Sequence, residues 1–136
     1  MEHEVQVALR MRLVATPELI ALVPASNILD SNQRPAPSPS ILMGESQAVD
    51  EGTSLKRAHT RIYHTLHVWK KEPSLSGVRA ICEKIRLAVK PARLTLPEGL
   101  HCADVLVQSS RYLRDPDGEH SHGVVTIEAL IVETLQ

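Results

Sequence analysis

Phenylalanine is absent from the 136 residues, and Trp69, Tyr63 and Tyr112 are the only aromatics. The core must therefore be built from aliphatic side chains. There are only two cysteines, Cys82 and Cys102. They form no CxxC pair and have no partners at zinc-finger spacing, which excludes a disulfide framework and a cysteine-built metal site. The opening Met1-Glu2-His3-Glu4 is acidic and has no basic stretch ahead of an apolar run, so no secretory leader is expected. In a reducing compartment both thiols are expected to be free and buried. No apolar run approaches the roughly 20 residues that span a bilayer. A formal net charge of −1 supplies no general attraction for nucleic acid or membrane. Neither GxGxxG nor GxxxxGK[ST] occurs, so no phosphate-binding loop is encoded.

The length suits one domain, residues 1–136, with a single core. Val5, Ala8, Leu9 and Leu13 recur at helical spacing and predict a helix over about 3–15. Thr16-Pro17-Glu18 reads as an N-cap followed by proline at the first position of a short helix, ended by Pro24. Ile28-Leu29-Asp30 suggests a brief strand, and Pro35, Pro37 and Pro39 keep residues 31–40 extended or looped. A short strand is expected over Ser40–Glu45, then a polar loop over 46–57 that contains Asp50, Glu51, Lys56 and Arg57. From Ala58 to Lys70 the chain alternates, with Ile62, His64, Leu66 and Val68 on one face and Tyr63, His67 and Trp69 on the other. Ser74 or Ser76 is expected to cap a helix that runs to about Lys90 and buries Val78, Ile81, Cys82, Ile85, Ala88 and Val89.

Two further alternating runs flank Asp115-Pro116-Asp117-Gly118. Ala103, Val105 and Val107 share a face in the first run, and Val125, Ile127, Ala129 and Ile131 share a face in the second. For both sets to meet one core, the numbers of opposed residues must sum to an even value, which predicts a three-residue loop, Pro116-Asp117-Gly118. This register sets Arg114 opposite His120 and Tyr112 opposite His122, with Tyr112 off the core face. The order of elements predicts an α+β fold: a single mostly antiparallel four- to five-stranded sheet with helices on one face.

Candidate chemistry is sparse. His120 and His122 have strand spacing on one face, but neither predicted opposite residue makes a good third ligand, and zinc normally takes three or four. His64 and His67 point to opposite faces. His101 and Cys102 are adjacent on a strand and so cannot form a nucleophile–base pair. Ser109-Ser110 lacks a strained nucleophile turn. No catalytic residue, metal site or cofactor is expected.

Taken in order, these segments resemble the tail-completion or tail-terminator family of long-tailed bacteriophages and phage-like gene-transfer particles. The matching features are an opening helix, the strand Ile41-Leu42-Met43-Gly44-Glu45 after a proline-rich stretch, and the strand ending Leu66-His67-Val68-Trp69. A helix with Gly77, Ile81 and Ile85 follows, then a late strand with His122-Gly123-Val124-Val125. The resemblance covers nearly the whole chain. It implies a structural ring subunit, usually one of six, that caps the head-proximal end of the tail tube, stops tube polymerisation and meets the head's stopper or connector protein. DNA passes through the lumen without sequence-specific binding. The implied partners are further copies of the chain, the major tail tube protein and the head-side protein, with no membrane. Assembly in the bacterial cytoplasm precedes incorporation into the particle. Alternatives are another head-tail connector component, such as a stopper or joining protein, and a small histidine-dependent hydrolase. Large aromatics placed off the core point to contact surfaces, so Trp69, Tyr63 and Tyr112 are candidate interface residues. Asp50, Glu51, Lys56 and Arg57 join them from the 46–57 loop, which is expected to become ordered on assembly.

Overall fold

The computed structural model describes residues 1–30, 37–52 and 57–134. In chain order these form α1 (Glu2–Val14), α2 (Pro17–Ile20), β1 (Ile28–Leu29), β2 (Ser40–Asp50), β3 (His59–Lys71), α3 (Ser76–Val89), β4 (Leu100–Arg114) and β5 (His120–Glu133). The strands make one five-stranded sheet in the order β1-β2-β3-β5-β4. All neighbours are antiparallel except β1 and β2, which run parallel, so the sheet is mixed but mostly antiparallel.

The alternation in β3 and β5 decides which face is covered. Ile62, His64, Leu66 and Val68 are buried along β3, and Val125, Ile127, Ala129 and Ile131 along β5. Helix α1 contributes Val5, Leu9 and Leu13 to the same core, and α3 contributes the six residues expected of it. Each valine, leucine or isoleucine among them, fully buried, stabilises the fold by about 1.5–3 kcal/mol. The two thiols, Cys82 and Cys102, are free and buried, and burial pushes the Cys82 thiol up to about 12.

Four expectations need correction. First, β2 continues to Asp50, so residues 46–50 are strand and not loop; they extend the ladder, with Ser46 opposite His64 and Asp50 opposite Thr60. The pairing is possible because β3 is long enough to offer a partner, which a polar segment alone does not reveal. Pro35 and Lys56 lie outside the described residues.

Second, the hairpin loop has four residues, Pro116–Glu119. The amide of Asp115 donates to the carbonyl of His120 at 2.9 Å, and Gly118, at φ 74°, closes the turn onto Asp115. Arg114 therefore faces Ser121, and His122 faces Leu113. Two bulges in β4, at Ala103 and Gln108, absorb the change of parity. Between them the expected pairs hold, with Val107 opposite Ile127 and Val105 opposite Ala129.

Third, the Gln108 bulge turns Tyr112 onto the helix-covered face. There it packs against the core, with the Arg79 guanidinium 5.6 Å above its ring. Fourth, a serine is not the main cap of α3: Ser74 Oγ accepts a single backbone amide, that of Ser76 at 3.3 Å. The amides of Gly77 and Val78 donate to the Glu72 carboxylate at 2.8 and 3.1 Å. Thr16 likewise donates its hydroxyl to the Arg12 carbonyl and makes no side-chain cap on α2.

Candidate assembly surface

The second face of the sheet carries no helix among the described residues. Its centre is built from β3 and β5, whose outward residues are Arg61, Tyr63, Thr65, His67 and Trp69 on one strand and His122, Val124, Thr126, Glu128 and Leu130 on the other. All are half-buried by their neighbours. Leu106 and Leu113 on β4, and Val49 on β2, are exposed large apolar residues. An open, polar depression crosses the middle, lined by Glu45, Gln47, Tyr63, Thr65, Gln108 and Thr126.

At one end of this face, β3 and β5 pair Trp69 with His122, and their rings stack 3.8 Å apart with planes 8° from parallel. His122 Nε2 lies 2.9 Å from His67 Nδ1, and His67 Nε2 lies 3.1 Å from a carboxylate oxygen of Glu45. Burial is the first cause that pulls the His122 imidazole below its usual range, and the neighbouring His67 adds to it. At the other end, the Arg61 guanidinium is held between Glu51 and Glu128, the latter at 3.3 Å. Asp50 and Arg57 form an exposed pair at 3.8 Å, and Asp50 also accepts the amide of Gly52.

Of the residues singled out from the sequence, Trp69 and Tyr63 lie on this uncovered face, Asp50, Glu51 and Arg57 lie at its rim, and Tyr112 lies on the other side. His120 and His122 do not act together. His120 Nδ1 turns to Asp117, 2.6 Å away. Asp117, Glu119 and His120 bring ligand-type atoms together at the hairpin tip. The Asp117 carboxylate, however, is already engaged by the Glu119 amide, the His120 ring and the His120 amide, which hold it down at about 2. His101 and Cys102 are parted by the sheet, with Cys102 buried and His101 exposed.

The meeting of Glu45, His67, His122 and Trp69 was not predicted. It depends on the β3–β5 register and on a bulge at Gly44-Glu45, where two residues of β2 lie between consecutive pairs with β3. Glycine inside an apolar strand was the available signal, since it often marks a bulge.

A sheet packed on one side by helices and presenting a mixed aromatic, histidine and charged face on the other defines an α+β subunit built around one large open surface. The family model for tail completion protein gp17 matches residues 7–132, and the chain belongs to that family of structural phage tail proteins. Among solved structures, a chain in the virion of a native gene transfer agent particle is similar at 16% identity, with a TM-score of 0.82 and 96% of each chain covered. The gp17 protein of bacteriophage SPP1 is similar at 19% identity, with a TM-score of 0.61, covering 93% of this chain and 88% of that one. A search of curated proteins finds no match in sequence. No helix among the described residues is long and apolar enough to cross a membrane.

Proposed function

We propose that the chain acts as one domain without chemistry of its own, forming a closed ring of six subunits at the head-proximal end of a phage or phage-like tail tube. The ring ends tube polymerisation and gives the head-side stopper or connector its docking surface, while DNA passes through the lumen without sequence-specific contact. Assembly takes place in the bacterial cytoplasm before the ring becomes part of the particle. The observation that carries this reading is the family match across residues 7–132. A formal net charge of −1 is consistent with a lumen that does not grip DNA.

Ring subunits meet through unlike patches, and closure leaves no patch unpaired. The uncovered sheet face supplies the broad patch that such contact needs, with Trp69 and Tyr63 as its aromatic anchors and the Asp50, Glu51 and Arg57 rim beside it. Deleting the gene in a particle-producing cell and imaging the products by electron microscopy tests the reading. Tails of irregular length, unattached to heads and restored by the gene in trans, are expected. Tails of normal length joined to heads would overturn it.

A further inference from the structure

Glu45, His67, His122 and Trp69 come from three strands and converge through features that the sheet does not otherwise need. The bulge at Gly44-Glu45 aims the Glu45 carboxylate at His67. Gly44 also leaves the space that the His67 ring occupies: a Cβ there would lie 2.7 Å from His67 Cδ2 and 2.9 Å from the Thr65 carbonyl oxygen. On the far side His122 is held between two rings, Trp69 at 3.8 Å and His67 at 5.1 Å.

The positions of the nitrogen atoms fix how many protons this arrangement accepts. With both imidazoles neutral, His67 donates from Nε2 to Glu45 and accepts at Nδ1 from His122 Nε2. One added proton enters at His122 Nδ1 while the proton of the middle bond passes from His122 Nε2 to His67 Nδ1: His67 then carries the charge and donates from both nitrogens, to Glu45 and to His122. A second proton leaves N–H facing N–H across 2.9 Å, with two positive rings in contact.

Groups from every strand beside the pair face it. They are Glu45 on β2, Trp69 beside His67 on β3, Arg111 on β4 and Asp115 just after it, with Leu113 of β4 directly opposite His122. Arg111 opposes a charge on His122, whereas Asp115 and Glu45 favour one.

We propose that these four residues form a proton-operated latch on the uncovered face: the imidazole pair holds up to one added proton with the Trp69 stack intact, and a second proton places a charge on His122, drives the two imidazoles apart and so changes the surroundings of the indole stacked on it. The latch is a property of the single subunit and stands whether or not the ring reading does. Trp69 is the only tryptophan, so its fluorescence reports on the latch directly.

The test is a pH titration of the full chain in the presence of a chelator, following imidazole nitrogen resonances, Trp69 emission and far-ultraviolet circular dichroism together. The imidazole pair is expected to take up its two protons in two coupled steps separated by more than about one pH unit. Trp69 emission should change reversibly with the second step alone while secondary structure stays constant. Glu45→Gln should lower the first midpoint, and His67→Gln should leave His122 titrating in one step with the split lost. Independent single-site titration of the two rings in the unmodified chain would overturn the latch, as would emission that follows the first step. Emission that changes only on adding Zn²⁺ and reverts with chelator would assign the pair to a metal instead, which also overturns it.

Discussion

The carboxylate of Glu72 occupies the space that a Cβ on Gly77 would fill, 2.7 and 2.8 Å from its two oxygens, while it accepts the amides that open α3. The two residues therefore depend on each other. Glu72→Ala is expected to cost about 1 kcal/mol, the usual worth of an N-terminal cap with favourable charge. Gly77→Ala alone gains up to about 1 kcal/mol of helix propensity but displaces the cap, so it should be close to neutral. In the Glu72→Ala background the same change should stabilise, because little but the flexible Lys70 side chain remains to displace. Urea unfolding of the four proteins measures the coupling; simple additivity would show that the two residues do not compete for space.

The opposite end of α3 is held by a residue from α1. The Arg12 guanidinium donates to the carbonyl of Ala88 at 3.1 Å, one that the last turn of α3 leaves unpaired, and to those of Ala92 at 3.0 Å and Arg93 at 2.8 Å in the segment that follows the helix. A planar fork can reach several acceptors at once, and an ammonium cannot do so in the same geometry. Arg12→Ala should lower stability by about 2 kcal/mol, and Arg12→Lys should recover less than half of that loss. Matched denaturation curves provide the check, and a lysine variant as stable as the parent would refute the fork argument.

Much of this architecture is written in local periodicity. The stripe Val78, Ile81, Cys82, Ile85, Ala88, Val89 states both the extent of α3 and its buried face, and the alternation around Ile62 to Val68 states which side of β3 is covered. Bulges are not legible in this way, because an extra residue leaves no mark in an alternating pattern until the partner strand is known. Ala103 and Gln108 thus shifted the hairpin tip by one residue while Val105 and Val107 kept their expected partners. Tyr112 changed faces as a result. The Glu45, His67 and His122 cluster rests on a bulge that Gly44 alone signals and on a register between strands distant in sequence, which the alternation within each strand does not state. The Glu72 cap was missed because its carboxylate arrives from before the turn, where serines are the more common choice.

Trp69 rests on His122 at the uncovered face, with no helix of the described residues above it, so little of the monomer's core depends on it. In the proposed ring it is an anchor, and such anchors often carry about 2 kcal/mol or more of binding energy. Trp69→Ala is expected to leave the circular dichroism of the free subunit unchanged and its melting point close to that of the parent. Capture of the subunit by tail tube ends, followed by sedimentation, should weaken at least tenfold, the equivalent of about 1.4 kcal/mol. A variant that melts far lower yet assembles normally at permissive temperature would place the role of Trp69 inside its own subunit.

His64 supplies the last expectation. It is 1% exposed on the covered face of β3, opposite Ile127 on β5 and Ser46 on β2, and neither ring nitrogen has a hydrogen-bond partner among the described residues. Burial lowers its affinity for a proton in the folded chain, and Glu45 only partly opposes this. A histidine with a folded value below its unfolded value of about 6.5 is protonated first in the unfolded chain. Stability therefore falls as pH drops through that value and stops falling from this cause once pH passes below the folded value. The slope in that window approaches about 1.4 kcal/mol per pH unit for one such group. His122, shifted in the same direction, adds to it, so the contribution of His64 is read as a difference between proteins. His64→Leu removes an unpaired polar ring from the core and should raise stability at pH 5 by more than it does at pH 8. Urea unfolding at the two pH values checks this, and an equal effect at both would show that His64 is not the group whose protonation weakens the fold.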